Sequence, residues 1–149
     1  MVWGGITGRH CTELLIIDGN LNAARYMQEI LAPVVVPFLN TYGPGMMLQQ
    51  DNARPHTARV VQDFLEENEV YVMPWPANSP DLNPIEHVWD EMERRLRRLP
   101  RQPRSLQELR NSLIQVWREI PQTFHSNLIA SMRRRCRAVL DANGGHTRY

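Results

Sequence analysis

The spacing of apolar residues changes once along this chain of 149 residues, and the change restricts the folds it can adopt. In the first two thirds, short apolar runs typical of strands alternate with helical patterns, whereas after residue 98 the spacing is helical only. Alternating strands and helices predict an α/β sheet. We therefore expect one domain over 1–149, with a sheet core over about 1–98 and a helical part over 105–142. The predicted strands are Met1–Thr7, Thr12–Ile17, Met46–Gln50 and Val70–Met73.

Five segments have the spacing and the end signals of helices. One begins after Asn22, a residue type that caps helix N-termini, and Pro33 and Pro37 should kink or divide it. Ser105 and Glu108 form a Ser-x-x-Glu capping box at the start of another. The remaining helices are expected over Thr57–Asn68, from Pro84 (capped by Asn83) past Leu96, and over about Phe124–Asp141 with a stop at Gly144-Gly145.

The apolar positions of these helices predict which residues pack in the core. The expected faces are Val60, Val61, Phe64 and Leu65; then Ile85, Val88, Trp89, Met92 and Leu96; then Leu106, Leu109, Leu113, Val116 and Ile120. On the helix from Pro84, charges four residues apart predict the ion pairs Asp90–Arg94, Glu91–Arg95 and Glu93–Arg97. Such pairs stabilise a helix by roughly 0.2–0.5 kcal/mol each.

Two carboxylates stand at positions where an α/β sheet places its sites. Asp51 ends the third predicted strand and Glu86 opens a helix, with thirty-four residues between them. The ends of strands and the starts of helices meet in a common crevice, where carboxylates can hold two Mg²⁺ ions for phosphodiester chemistry. The residues alone leave alternatives open: Asp51 could form an Asx-turn, Glu86 could complete a capping box, and His56 could contact a phosphate or only flank a helix.

The net charge of +1 hides an uneven distribution. Residues 1–93 carry four Arg and thirteen Asp or Glu, which gives −9, whereas residues 94–149 carry thirteen Arg and three Asp or Glu, which gives +10. The chain has no lysine, and arginine binds phosphate in a bidentate manner. One cluster is Arg94, Arg95, Arg97, Arg98, Arg101 and Arg104, and another is Arg133, Arg134, Arg135 and Arg137. These arginines could bind a polyanion, or they could neutralise acidic helix faces within the fold.

Other classes of protein are disfavoured by the same sequence. No apolar run is long enough to cross a bilayer, and the N-terminus lacks the charged-then-apolar pattern of a signal peptide. Cys11 and Cys136 are the only cysteines, which is too few for a disulfide framework or a zinc site. We expect a reducing compartment.

The residues around both carboxylates carry a resemblance. DNARPHTA and VYVMPWPANSPDLNPIEHVW are similar to the core of Tc/mariner-type transposases of the DDE superfamily, and Asp51 and Glu86 match both carboxylate positions and their spacing. MVWGGIT and the ending Gly144-Gly145-x-Thr147-x-Tyr149 also resemble the family. The resemblance implies a ribonuclease-H-like fold and Mg²⁺-dependent cutting and joining of DNA at transposon ends and a TA target. It also implies nuclear work and a possible homo-oligomer, with no membrane and no small-molecule substrate.

The sequence departs from the family pattern at its start. The family's third catalytic carboxylate lies on a strand before the one that resembles MVWGGIT, and Asp18, in a turn after the second strand, is not its substitute. We therefore expect a ribonuclease-H-like fold without its first strand, two unpaired strand edges, and no useful activity from this chain alone. Two other functions stay open: a non-catalytic nucleic-acid-binding or assembly module from a transposable element, and a different nuclease or plain α/β protein.

Overall fold

Two compact units make up the chain. The computed structural model describes residues 1–43, 45–76, 79 and 82–142. The first unit contains Met1 and Ile17–Asn78, and the second contains Val2–Ile16 and Ser79–Tyr149. These units do not coincide with the predicted parts, 1–98 and 105–142, because the N-terminal hairpin belongs with the C-terminal helices.

The first two predicted strands are present and form a short hairpin. Strand β1, Val2–Trp3, pairs antiparallel with β2, Leu15–Ile16, so that Val2 lies opposite Ile16. Both strands are shorter than predicted, and a single bridge between Ile6 and Cys11 continues the pairing. Strand β1 ends before Gly4, because glycine is disfavoured in strands. Glycine is needed at this position, since a Cβ would lie 2.7 Å from the Trp117 ring.

A helical segment of the first unit runs from residue 23 to residue 42. It consists of α1 (Ala23–Arg25), a π-helical stretch (Tyr26–Val35) and α2 (Val36–Tyr42). Asn22 caps it as predicted, because its side chain accepts a hydrogen bond from the Arg25 N–H at 2.9 Å. Pro33 widens the helix rather than dividing it. Pro33 has no N–H to donate to the carbonyl four residues earlier, and the Val36 N–H donates to Leu31, five residues earlier.

The third and fourth predicted strands are reduced to one parallel bridge between Leu48 and Val72. The Leu48 N–H donates to the Tyr71 carbonyl at 2.7 Å, and the Met73 N–H donates to the Leu48 carbonyl at 2.9 Å. Two helices, α3 (Arg54–Thr57) and α4 (Arg59–Glu67), lie between the two bridged residues in the chain. A helical crossover is what parallel neighbours require. The expectation of four strands was therefore wrong for the described residues, whose sheet has two strands, β1 and β2.

The core of the first unit is built on the helical segment and on α4. Its buried apolar residues are Ile17, Tyr26, Ile30, Leu31, Val35, Val61, Leu65 and Val70. Val61 and Leu65 follow the predicted face of α4. Val60 was wrongly assigned to that face and is 48% exposed, because it lies one helical step of about 100° away from Val61.

Helices α5 (Pro84–Arg97), α6 (Leu106–Glu119) and α7 (Gln122–Asp141) pack with the hairpin in the second unit. Their buried apolar core consists of Leu14, Val88, Met92, Val116, Trp117 and Ile120. The predicted stripe of α5 is confirmed, since Ile85, Trp89 and Leu96 pack against this core. Leu106 was wrongly placed on the buried face of α6. At the first position of α6, Leu106 is 66% exposed, and Trp117 supplies the large buried side chain instead.

The ends of α6 and α7 agree with the sequence where they are described. Ser105 caps α6 by accepting from the Glu108 N–H at 3.1 Å, and the Glu108 carboxylate accepts in return from the Arg104 N–H at 2.7 Å. Helix α7 ends at Asp141, as predicted, and the expected stop at Gly144-Gly145 lies outside the described residues. Both cysteines are free. None of the helices in the described ranges could cross a membrane.

Candidate active site

Asp51 follows the Leu48–Val72 bridge by three residues and begins the turn into α3. Its Oδ1 accepts two hydrogen bonds, from the Ala53 N–H at 3.0 Å and from His56 Nδ1 at 2.7 Å. Oδ2 has no hydrogen bond within the described part of the chain, and the side chain is 54% exposed. The Asx-turn is thus real, but it uses only one oxygen of the carboxylate. The second oxygen is open to a ligand.

His56 lies on α3 and faces Asp51, a role that the sequence did not predict. Its Nδ1 also lies 3.3 Å from the Asp51 carbonyl oxygen. The side chain is only 16% exposed, and its ring lies 4.5 Å from the ring of Tyr26. A contact between His56 and a phosphate stays a prediction. The Nδ1 atom of the ring is already engaged by Asp51.

The residues on either side of Asp51 are anchored as well. The buried Tyr26 hydroxyl donates to Gln50 Oε1 at 2.7 Å, and Asn52 Nδ2 donates to the Trp75 carbonyl at 3.1 Å. The side chains of both neighbours of Asp51 are therefore held by hydrogen bonds. An open groove of about 610 Å³ adjoins Asp51, with walls that include Asn52, His56, Tyr71 and Trp75. The sequence held no signal for the bond between Tyr26 and Gln50.

Glu86 lies in the first turn of α5, in the second unit. Its Oε1 accepts from Asn83 Nδ2 at 3.3 Å, and the side chain is exposed. Asn83 occupies the N-cap position in extended conformation, as predicted, but its side chain makes no capping hydrogen bond to the N–H groups of the helix. A carboxylate in the first turn is favoured by the helix dipole.

Asp51 and Glu86 belong to different units, and each has its own surroundings. The described residues include no group of three or more His, Cys, Asp or Glu side chains arranged to bind one metal ion. What fits a hard cation such as Mg²⁺ is the open carboxylate oxygen of Asp51, since carboxylates are its preferred protein ligands.

The arginines of α5 are engaged by carboxylates of their own helix. Glu91 binds both Arg94 at 2.5 Å and Arg95 at 2.7 Å, and Glu93 binds Arg97 at 2.6 Å. Two predicted pairs are confirmed, whereas Arg94 binds Glu91 instead of Asp90. Hydrogen bonding from Arg95 and the charges of its neighbours lower the pKa of the Glu91 carboxyl.

The arginines of α7 have little acidic compensation. The helix carries four Arg and one Asp, a net charge of +3. Arg133 and Arg137 are exposed, lie four residues apart on one face, and make no ion pair among the residues that the structure describes. Arg135 is different. It is 4% exposed and donates to Ser131 Oγ at 2.9 Å, and its contact with nucleic acid stays a prediction. Successive helix residues are rotated by about 100°, and Arg135 therefore points away from Arg133 and Arg137.

Comparison with known proteins decides the family. The profile of the DDE superfamily endonucleases matches residues 1–110, a range that contains both Asp51 and Glu86. This chain belongs to the DDE superfamily. The transposase of the transposable element Tc1 from Caenorhabditis elegans is 39% identical over 150 residues, which cover 100% of this chain and 54% of that protein. The DDE-superfamily chain thus spans about half the length of the curated relatives it matches.

Solved structures agree with the ribonuclease-H-like fold expected for this DDE-superfamily chain. The catalytic domain of the Mos1 transposase, from Drosophila mauritiana, was solved with Raltegravir and Mg. It has a TM-score of 0.76 and 26% identity, covering 92% of this chain and 75% of that one. A Mos1 paired-end complex with the left transposon end has a TM-score of 0.75 and 26% identity, covering 91% and 43%. The expected resemblance to Tc/mariner-type transposases is confirmed.

Proposed function

We propose that this chain forms part of the catalytic centre of a Tc/mariner-type transposase, which cuts and joins DNA with divalent metal ions. The observation that carries the proposal is the Asp51 carboxylate, held through one oxygen and open at the other, inside the region that matches the DDE endonucleases. Support for DNA and for metal comes from the Mos1 structures with a transposon end and with Mg. The site of work would be the nucleus.

Asp51 and Glu86 would be the metal ligands in this proposal. Each offers an exposed carboxylate on a defined turn or helix start, and water and phosphate oxygens would complete the coordination of Mg²⁺. Bound metal ions would activate the attacking oxygen and stabilise the leaving one. The protein's own contribution is to fix the carboxylate oxygens before metal arrives, as His56 and the Ala53 N–H do for Asp51.

The first test locates the metal directly. Fe²⁺ replaces Mg²⁺ and, with ascorbate and peroxide, cleaves the backbone close to where it binds. We expect fragments that end near Asp51 and near Glu86, suppressed by millimolar Mg²⁺ and lost at the corresponding position in Asp51→Ala and Glu86→Ala. Asp63→Ala is the matched control, since Asp63 pairs with Arg59 and does not line the groove. Unchanged fragments in Asp51→Ala would show that Asp51 is not a ligand.

DNA contact is expected to use α7 more than α5. Replacing Arg133 and Arg137 by alanine should reduce the slope of log Kobs against log salt by about 1–2 for duplex DNA, because each lost phosphate contact removes about one unit. The matched control is Arg94→Ala with Arg97→Ala, which removes arginines already paired with glutamates. Fluorescence anisotropy between 50 and 200 mM salt is the measurement. An equal or larger change in the α5 variant would contradict the assignment.

These two tests also separate the catalytic proposal from its alternative, a non-catalytic module derived from a transposable element. Such a module would bind DNA with the expected salt dependence but would give no metal-directed fragments at Asp51 or Glu86.

A further inference from the structure

The carboxylate of Asp51 is oriented by a donor outside its own turn. His56 Nδ1 faces two oxygen acceptors, Oδ1 at 2.7 Å and the Asp51 carbonyl at 3.3 Å. An atom placed between two acceptors must carry the hydrogen, so His56 donates from Nδ1. Hydrogen bonds to an ionised carboxylate are short and strong, and this one fixes the carboxylate plane with Oδ1 towards α3.

The imidazole of His56 is itself held in place. Tyr26 is 1% exposed, and its ring lies 4.5 Å from that of His56 with an angle of 39° between the planes. The Tyr26 hydroxyl donates to Gln50, the residue before Asp51. One buried tyrosine thus contacts the histidine that binds Asp51 and the side chain that precedes it. This arrangement supports the aspartate from two directions.

Capping of the short helix α3 does not require the His56 side chain. The Ala53 N–H already satisfies the Asx-turn through Oδ1, and the backbone bond from the His56 N–H to the Ala53 carbonyl at 2.9 Å closes the first turn. The additional bond from the imidazole adds nothing to those backbone groups. Its effect falls on the direction of Oδ2, the oxygen open to a ligand.

We propose that His56 is a positioning residue, which, supported by Tyr26, aims Oδ2 of Asp51 at a divalent cation. The inference rests on the proposed function, because it assumes that Asp51 binds metal. Partners that hydrogen-bond to metal ligands from outside the coordination sphere typically contribute 10–100-fold to metal affinity. Loss of the His56 donor should therefore weaken metal binding while the fold is retained.

The test compares two replacements of His56 in the full chain. Asparagine places its amide N–H where Nδ1 stands, whereas glutamine places it nearer to the position of Nε2. Mn²⁺ affinity is measured by electron paramagnetic resonance of the free ion, together with Fe²⁺-directed cleavage near Asp51. We expect His56→Asn to bind Mn²⁺ within about threefold of the unsubstituted protein, and His56→Gln to bind about tenfold more weakly with fewer fragments at Asp51.

Each result decides the proposal. Affinity in His56→Gln equal to that of the unsubstituted protein overturns it, and so does an equal loss in both replacements, which would indicate a structural role only. Should His56→Gln not fold, Tyr26→Phe takes its place: it keeps the ring, removes the bond to Gln50, and is expected to weaken Mn²⁺ binding by a smaller factor, whereas unchanged affinity overturns the proposal. Absence of Fe²⁺-directed fragments at Asp51 in the unsubstituted protein instead overturns the proposed function itself.

Discussion

Replacing Trp117 by alanine is expected to lower the free energy of unfolding by about 3–5 kcal/mol, the range for truncating a large buried aromatic residue. Trp117 is 2% exposed, and its ring lies directly on the Gly4 backbone and 5.6 Å from the ring of Trp89. Its indole N–H donates to the Thr12 carbonyl at 2.9 Å. The alanine variant would therefore leave a cavity and an unsatisfied buried carbonyl between the hairpin and α6.

The control for this experiment lies on the same helix. Leu106→Ala removes an apolar side chain that is 66% exposed, and the free energy of unfolding should change by less than about 0.5 kcal/mol. Urea denaturation followed by circular dichroism measures both variants. A loss below 1 kcal/mol in Trp117→Ala, or similar losses in the two variants, would show that the core of the second unit is organised differently.

Replacing His125 by leucine is expected to stabilise the protein by about 1–3 kcal/mol, the cost of burying a polar group without partners, and by more in acid than at neutral pH. His125 is 0% exposed, and neither ring nitrogen has a hydrogen bond within the described residues. Burial lowers the pKa of His125 below its ordinary value. The folded state therefore resists a proton that the unfolded chain accepts below about pH 6.5.

The sign of the pH dependence follows from that lowered pKa. The free energy of unfolding is highest above about pH 6.5, where His125 is neutral in both the folded and the unfolded state. It decreases as the pH falls below that value, and the decrease due to His125 levels off below the folded-state pKa. In His125→Leu, the part of this decrease in the free energy of unfolding that is due to His125 should be absent. Unfolding in urea at pH 7.5, 6.5, 5.5 and 5.0 is the measurement, with His10→Leu on the hairpin loop as control. A slope in His125→Leu as steep as in the unsubstituted protein would contradict the prediction.

Local signals predicted the helices well, because the residues that cap them act on their immediate neighbours. Asn22 and Ser105 cap the helices they precede, and Glu91 and Glu93 bind arginines one turn away. The family resemblance rested on equally local strings around Asp51 and Glu86. What these signals share is that their partners lie within about five residues.

The parts that the sequence did not predict depend on residues distant along the chain. The hairpin packs with α6 through Trp117 and Thr12, which are 105 residues apart. The bond between Tyr26 and Gln50 spans 24 residues, and no spacing rule points to it. Strand lengths were overestimated for the same reason, because apolar runs set the propensity for a strand but its extent depends on the neighbours available for pairing.

The assignment of the hairpin to the second unit has a consequence for how the protein is made. The ribosome releases Val2–Ile16 before Ile17–Asn78, and the helices that pack on this hairpin emerge only after both segments. Nearly all residues of the first unit are synthesised well before α6. This unit can therefore fold during synthesis, before the hairpin has the helices it packs with. Closing the long loop between Thr12 and Trp117 carries an entropic cost and slows folding. Synthesis of the C-terminal helices alone would yield a core without Leu14, and a nascent chain stalled before α6 would expose an unprotected hairpin to chaperones and proteases.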